Sequence, residues 1–329
     1  MPRYEFLEEI LSQGSATAGY RKTEKLEPDY NVKALQFRGS YNVNIAVLGA
    51  PAYVGQIHAS DIMEDMILEL NRNVQMRTFT KLRDARLYDR ILSGGDTPQV
   101  LPAIGALAVG NNLFKWTLNL PMGFYGSQVR NPQFGWLIRR LMTLFKATVR
   151  FGIGTNIFAT PPTTWSLDDN KVEVWAMEEP VIKYPGRGQK YVNRVELFDD
   201  ETFNSARAEY RIKLEPYNRD LKAIFLVAED SGVPGLLTDD LVESFRLELN
   251  SNRIVNETTW LDTQNDNKDD YSPQGASVTS GAVYYDLSPK SLTDTVDLKE
   301  QSVRSCNLIL NVNAPVGVGR VRTYVVATP

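Results

Sequence analysis

The chain has 329 residues, more than the roughly 250–300 at which one hydrophobic core stops growing, so its length favours two domains. Its 36 Lys and Arg against 40 Asp and Glu leave a formal charge of −4, which excludes a general electrostatic grip on nucleic acid or on an anionic membrane. The single cysteine, Cys306, excludes a disulfide within the chain. Beside the apolar run Asn307-Leu308-Ile309-Leu310 it is expected to be a buried, inert thiol.

In chain order, Pro2 to Glu9 is acidic and broken up, unlike a secretory signal. Nowhere do 18 apolar residues run consecutively. A soluble chain folding in a reducing cytoplasm is the expectation. Phe6, Leu7, Ile10 and Leu11 lie at helical spacing between Pro2 and Gly14, which predicts a short amphipathic helix over Tyr4 to Leu11. The polar, small stretch Ser12 to Tyr30 reads as an extended arm, or else as a disordered leader. Residues 1–30 are therefore set apart from the body as an N-terminal helix and arm.

From Val32 onward the pattern is β: short alternating or wholly apolar runs punctuated by Gly, Pro, Asn and Asp. Strand-length runs are Val43 to Leu48, Met66 to Leu70, Trp116 to Leu120, Thr148 to Ile153, Val172 to Met177, Ala223 to Ala228, Phe245 to Leu249, Val283 to Leu287, Leu308 to Val312 and Val321 to Ala327. Two segments resist this reading. Gln133 to Phe145 suits either a helix or an apolar strand, and Glu201 to Tyr210 suggests a turn of helix. Apolar periodicity lapses at Tyr184-Pro185-Gly186-Arg187-Gly188, which sets domains at 31–188 and 189–329.

The halves resemble each other. Asp61 to Asn73 (DIMEDMILELNRN) and Asp240 to Asn252 (DLVESFRLELNSN) share seven of thirteen residues at an offset of 179. The register holds without a gap from Asn44 to Leu82 against Ala223 to Leu261. This is too long for a solenoid unit of about 20–50 residues and points to two copies of a domain. Alternation would turn Leu68, Leu70, Leu247 and Leu249 inward and Glu69 and Glu248 outward, with Leu68 matching Leu247 and Asn71 matching Asn250. Two β domains of this size suit eight-stranded jelly rolls. An immunoglobulin fold expects about 100 residues per domain and a Cys…Trp…Cys spacing absent here.

Residues that carry chemistry are sparse. His58 is the single histidine, read as an exposed or hydrogen-bonded loop residue, and one histidine with one distant cysteine cannot make a zinc site. Glu178-Glu179 and Asp199-Asp200-Glu201 are adjacent in sequence, which in a strand sends side chains to opposite faces, so they read as solvated faces, not preset acid–base pairs. Asp262 to Asp270 resembles a calcium loop but lacks the glycine and terminal Glu. Gly94-Gly95-Asp96 and Gly317-Val318-Gly319 lack phosphate-loop spacing and read as hairpin turns. No catalytic, cofactor-binding or metal residue is assigned, which shifts weight from enzyme to binding or structural protein.

On these residues the chain resembles the double-jelly-roll major capsid proteins of tailless icosahedral viruses, the lineage of tectiviruses, corticoviruses, finnlakeviruses and adenoviruses. The resemblance lies in Ile62 to Asn71 and Leu241 to Asn250, in Phe114-Lys115-Trp116-Thr117-Leu118-Asn119-Leu120-Pro121-Met122, and in Tyr284 to Leu287 followed by Asp294 to Leu298. It implies an all-β fold of two tandem eight-stranded jelly rolls with a short N-terminal helix or arm, and no enzymatic activity or cofactor. It further implies homotrimers forming pseudo-hexagonal capsomers, as in a bacteriophage coat, made in the host cytoplasm and residing in the virion. The partners implied are neighbouring capsomers, minor capsid and penton proteins and, through the N-terminal helix, an internal membrane, with no sequence-specific nucleic acid. The acidic Glu5, Glu8 and Glu9 would leave only hydrophobic insertion of Phe6, Leu7, Ile10 and Leu11 into lipid. A carbohydrate-active hydrolase or glycan-binding protein on tandem jelly rolls is the second reading. A receptor-binding spike or fibre would expect a longer stalk than Met1 to Tyr30.

Overall fold

Each of the ten apolar runs becomes, wholly or in its greater part, a β-strand in the computed structural model of the chain. The structure describes residues 3–10, 20–26, 31–54, 57–70, 74–93, 98–122, 145–152, 156–179, 194–214, 220–233, 236–250, 253–271, 279–287, 296–297 and 305–328. Two compact units emerge: Met1–Arg86, Asp96–Gly123 and Gly135–Gln189 form the first, and Leu87–Gly95, Phe124–Phe134 and Lys190–Pro329 the second.

In chain order the first part holds β1 (Arg3–Ile10), β2 (Tyr20–Leu26), β3 (Asn31–Val47), β4 (Ala52–Tyr53), β5 (Met63–Leu70), β6 (Val74–Phe79), α1 (Leu82–Ser93), β7 (Gln99–Val100), β8 (Gly110–Pro121), β9 (Phe145–Phe151), β10 (Phe158–Thr160) and β11 (Thr164–Glu179). One sheet of the first unit pairs in the order β1-β11-β3-β8, and the other β2-β9-β5-β6. Alternation is clearest in β8. Phe114, Trp116, Leu118 and Leu120 are buried while Leu113, Lys115 and Asn119 are exposed, as the two-residue period of a one-sided sheet requires. Trp116 is paired with Gly39, and a Cβ on Gly39 would come within 2.1 Å of the indole. A glycine interrupts the strand here so that the ring can lie across the backbone.

The second part holds β12 (Arg194–Phe203), β13 (Arg207–Lys213), β14 (Asp220–Asp230), β15 (Val242–Leu249), β16 (Arg253–Thr259), α2 (Trp260–Tyr271), β17 (Ala282–Asp286), β18 (Val296–Asp297), β19 (Cys306–Val312) and β20 (Gly319–Thr328). Its sheets pair as β12-β20-β14-β17 and β13-β19-β15-β16. Ile224, Leu226, Phe245, Leu247, Leu308, Leu310 and Val325 form its core. Each fully buried aliphatic side chain there contributes about 1.5–3 kcal/mol. Cys306 is fully buried among them.

If the eight principal strands of each unit are counted from first to last, both units pair as 1-8-3-6 and 2-7-4-5. That shared order is the jelly roll. The duplication extends to register. Met66 faces Phe79 on one side and Val149 on the other; Phe245, 179 residues later, faces Thr258 and Leu310. A β-bulge follows Leu68 opposite β6 and follows Leu247 opposite β16, so Leu68 and Leu247 hold equivalent places. Asn250 has φ of 53°, the left-handed region that Asn tolerates better than most residues, which suits Asn at the end of β15. Its counterpart Asn71 lies outside the described residues.

Several expectations are corrected. The spacing over Tyr4 to Leu11 predicts a helix, but Arg3–Ile10 is the strand β1, which pairs with β11 at eight successive positions, and Tyr20–Leu26, read as part of an arm, is β2 paired with β9. A helix that short is marginal in water, whereas a strand beside a sheet satisfies its backbone at once. Glu201 to Tyr210 contains no helical turn but the end of β12, a bend and the start of β13. Leu68 and Leu247 are fully buried as expected, while Leu70 is half-buried and Glu248 is buried, with an Arg211 guanidinium nitrogen 3.7 Å from its carboxylate. Of the ambiguous segment Gln133 to Phe145, only Phe145 is described, as the first residue of β9. The rest of it, and the proposed junction at 184–188, lie outside the described residues.

Candidate functional site

A dense polar construction surrounds α2 in the second unit. Thr259 caps the helix, accepting the Asp262 N–H at 3.1 Å and donating to its carboxylate at 2.6 Å, as an N-cap does. The buried face of the helix is Trp260, Thr263, Gln264, Asn267 and Tyr271, which has helical spacing but is mostly polar. Asp239 accepts from the Trp260 indole at 3.0 Å, Gln264 Nε2 at 2.5 Å, Ser280 Oγ at 2.9 Å and the Gly281 N–H at 2.7 Å. Asn267 accepts the Tyr284 N–H at 2.7 Å and donates to its carbonyl at 2.5 Å. Its amide therefore pairs with β17 as another strand would, covering backbone groups that a sheet edge leaves open.

Next to this contact lies a cleft of about 240 Å³ lined by Thr258, Asp266, Asn267, Asp270, Tyr271 and Tyr284, among others. Asp286 at its wall accepts from Lys222 Nζ at 2.8 Å and from the Tyr271 hydroxyl. Burial and the Asp286 charge push the Tyr271 phenol well above its ordinary pKa, so it remains the donor. The Asp286 carboxylate is thus committed to holding helix and sheet together. The segment read as a calcium loop, Asp262 to Asp270, is the body of α2; Thr259-x-x-Asp262 is the capping signal that could have revealed it.

A second carboxylate ties two loops. Asp230 accepts the N–H groups of Gly232 at 2.8 Å, Val316 at 2.6 Å and Gly317 at 2.8 Å. Burial presses its pKa upward, but the three backbone donors outweigh burial and hold the carboxyl below its ordinary value. Gly317 to Gly319 therefore does not make a hairpin turn. It joins β19 to β20, which lie in different sheets. Gly94-Gly95-Asp96 lies outside the described residues.

The remaining candidates are structural in their contacts. His58 is buried and precedes the 3-10 turn Ala59–Ile62; its Nδ1 accepts the Ser60 N–H at 3.1 Å, and its own N–H donates to Asp61 at 2.9 Å. Asp61 in turn pairs with Arg86 at 3.2 Å. His58→Ala is expected to leave the fold intact and to cost about 1–2 kcal/mol, the range of a lost cap, measured by chemical denaturation; a loss above about 4 kcal/mol would contradict this. Asp199 and Asp200 do not form a solvated face. Tyr210 donates to Asp199 at 3.0 Å, and Arg320 grips Asp200 through two contacts of 2.6 Å. The side chains of Glu178 and Glu179 lie outside the described residues. Among the described residues no group of three or more His, Cys, Asp or Glu is placed to hold a metal ion.

No family model and no curated protein matches the sequence. Solved structures do match in fold. The STIV MCP aligns at TM-score 0.69 and 12% identity over 98% of this chain and 96% of that one. The major capsid protein P2 from bacteriophage PM2 aligns at TM-score 0.60 and 10% identity, over 100% and 98%. The Faustovirus major capsid protein aligns at 0.56 and 10%, over 100% and 90%. With the strand order and the duplicated register, these matches give the chain the double-jelly-roll fold of these capsid proteins.

Proposed function

We propose that this chain is a major capsid protein, many copies of which build the shell of an icosahedral virus. The observation that carries the reading is the duplication itself: both halves have one strand order, one register around β5 and β15, and a bulge at the same place. A subunit with two such similar bodies suits a threefold capsomer, because a trimer then presents six comparable bodies to its neighbours. The capsid proteins with which it shares its fold over nearly their whole length support the same role. The role is structural, with neighbouring capsomers, minor capsid proteins and penton proteins as partners, the host cytoplasm as the place of assembly and the virion as the destination.

The test is the mass of the purified protein by light scattering. A stable species of three 37.1 kDa subunits is expected, and closed particles by electron microscopy under assembly conditions. A chain that stays monomeric at every concentration would overturn the reading.

A further inference from the structure

From Thr97 to Leu113 the sequence carries no charged residue, although 23% of the chain is charged. Much of this segment lies at the surface. Val100, Ile104, Val109 and Leu113 are exposed, Val109 to 68%, and a Cβ on Gly105 or Gly110 would meet nothing within 4 Å. Two of the apolar groups share a face. Val100 is paired with Lys115 on β8, and Leu113, two residues along that strand, points to the same outer face. Asn112, beside Leu113, folds the next stretch back over itself, accepting the Ala108 N–H at 3.0 Å and donating to the Ala108 and Gly110 carbonyls at 2.8 and 3.0 Å. Val109 sits between those two carbonyls.

The segment is also firmly held. The Pro98 carbonyl accepts the Thr117 N–H at 3.0 Å, Gln99 Oε1 accepts the Ala59 N–H at 2.8 Å, and the Pro102 carbonyl accepts the Tyr53 hydroxyl at 2.8 Å. Asn112 additionally reaches the Val43 carbonyl at 3.2 Å. These anchors use backbone and polar groups, so the exposed valines, isoleucine and leucine are not spent on fixing the loop. Four exposed apolar side chains within one uncharged segment are a candidate contact surface. Being fixed beforehand, it loses little conformational entropy on association.

We infer that the Pro98–Leu113 surface of the first unit is a contact between copies of this chain. The inference rests on the coat-protein reading, in which each subunit packs against others of the same sequence. Charge selects the occupant. Every copy carries a formal −4, so two copies meet most readily where neither places a charge in the contact, and interface centres are depleted of charge for this reason. Ala103, Gly105, Ala106 and Ala108 add small side chains that let a second backbone approach closely.

The experiment compares the wild-type chain with Ile104→Asp and Val109→Asp by light scattering across a dilution series. Each variant should self-associate at least about tenfold more weakly, as expected for a charge forced into a desolvated contact, with an unchanged thermal midpoint at a dilution where wild type and variants are all dissociated, because both positions are exposed. As a second measurement that does not depend on tolerance of a charge, Val109→Cys installs an accessible thiol in a chain whose native Cys306 is fully buried. Its maleimide labelling should slow by at least about tenfold in the assembled protein relative to the dissociated one. If both aspartate variants associate like wild type and the new thiol labels at one rate in both states, the surface serves some other partner and the inference fails, while the coat-protein reading stands. If the wild-type chain never associates, both fail.

Discussion

A chain that begins after Leu26 is expected to lose the fold of its first unit. The truncation removes β1, which pairs with β11 from Arg3 opposite Glu178 to Ile10 opposite Lys171, and β2, which pairs with β9 from Tyr20 opposite Phe151 to Leu26 opposite Phe145. Each ladder hydrogen bond contributes a net of about 0.5–1.5 kcal/mol. Even at the lower figure the two strands together approach the whole net stability of a domain, about 5–15 kcal/mol. The truncated protein should aggregate, or unfold far below the full-length midpoint in a thermal scan, with rapid amide exchange in β9 and β11. A near-native midpoint and slow exchange there would restore residues 1–30 to the role of a separable arm.

Asp230→Ala, at the end of β14, is expected to weaken the fold of the second unit. It takes one acceptor away from three backbone N–H groups, at a residue 3% exposed. A hydrogen bond to a charged group contributes about 1.5–3 kcal/mol; because Gly232 and Val316 are exposed and their N–H groups can turn to water, a total of about 2–3 kcal/mol is expected by chemical denaturation at about pH 7. The pH dependence has a definite sign. The folded carboxyl is held below its ordinary pKa, so its contribution is complete above the unfolded value of about 3.9 and is lost as pH falls through the lowered folded pKa. The stability gap between wild type and Asp230→Ala should be level from about pH 7 to about pH 5 and shrink on further acidification. A gap that widens in acid, or a loss under about 1 kcal/mol, would show that the three bonds do not depend on the carboxylate.

The two helices are the least legible elements, and their burial explains why. In α2 the inward positions are occupied by Thr263, Gln264 and Asn267, which hydrophobic periodicity cannot register. They are tolerated inside because Asp239 and the Tyr284 backbone satisfy them. Helix α1 likewise buries Arg83, Asp84, Arg86 and Asp89 beside Leu82, Ala85 and Tyr88. Glu248 misleads in a similar way. Strand alternation puts it opposite Leu247, but the outer face there is covered, with Arg211 close by.

What the sequence determined by itself was the β class, the places of the strands and the duplication. Those depend on local alternation and on self-similarity, both readable without coordinates. Leu68 and Leu247 could be matched from an offset alone because a strand register that buries one face admits no slip of one residue. Tertiary structure decided the rest. Whether Arg3 to Ile10 forms a helix or a strand depends on β11, which lies far along the chain and is not readable from eight residues alone. Whether the glycines at 317 and 319 turn a hairpin or cross between sheets depends on which strands β19 and β20 join. An apolar loop such as 98–113 becomes a surface only when Tyr53, Ala59 and Thr117 hold it outside the core, since exposure, unlike periodicity, is a property of the whole fold.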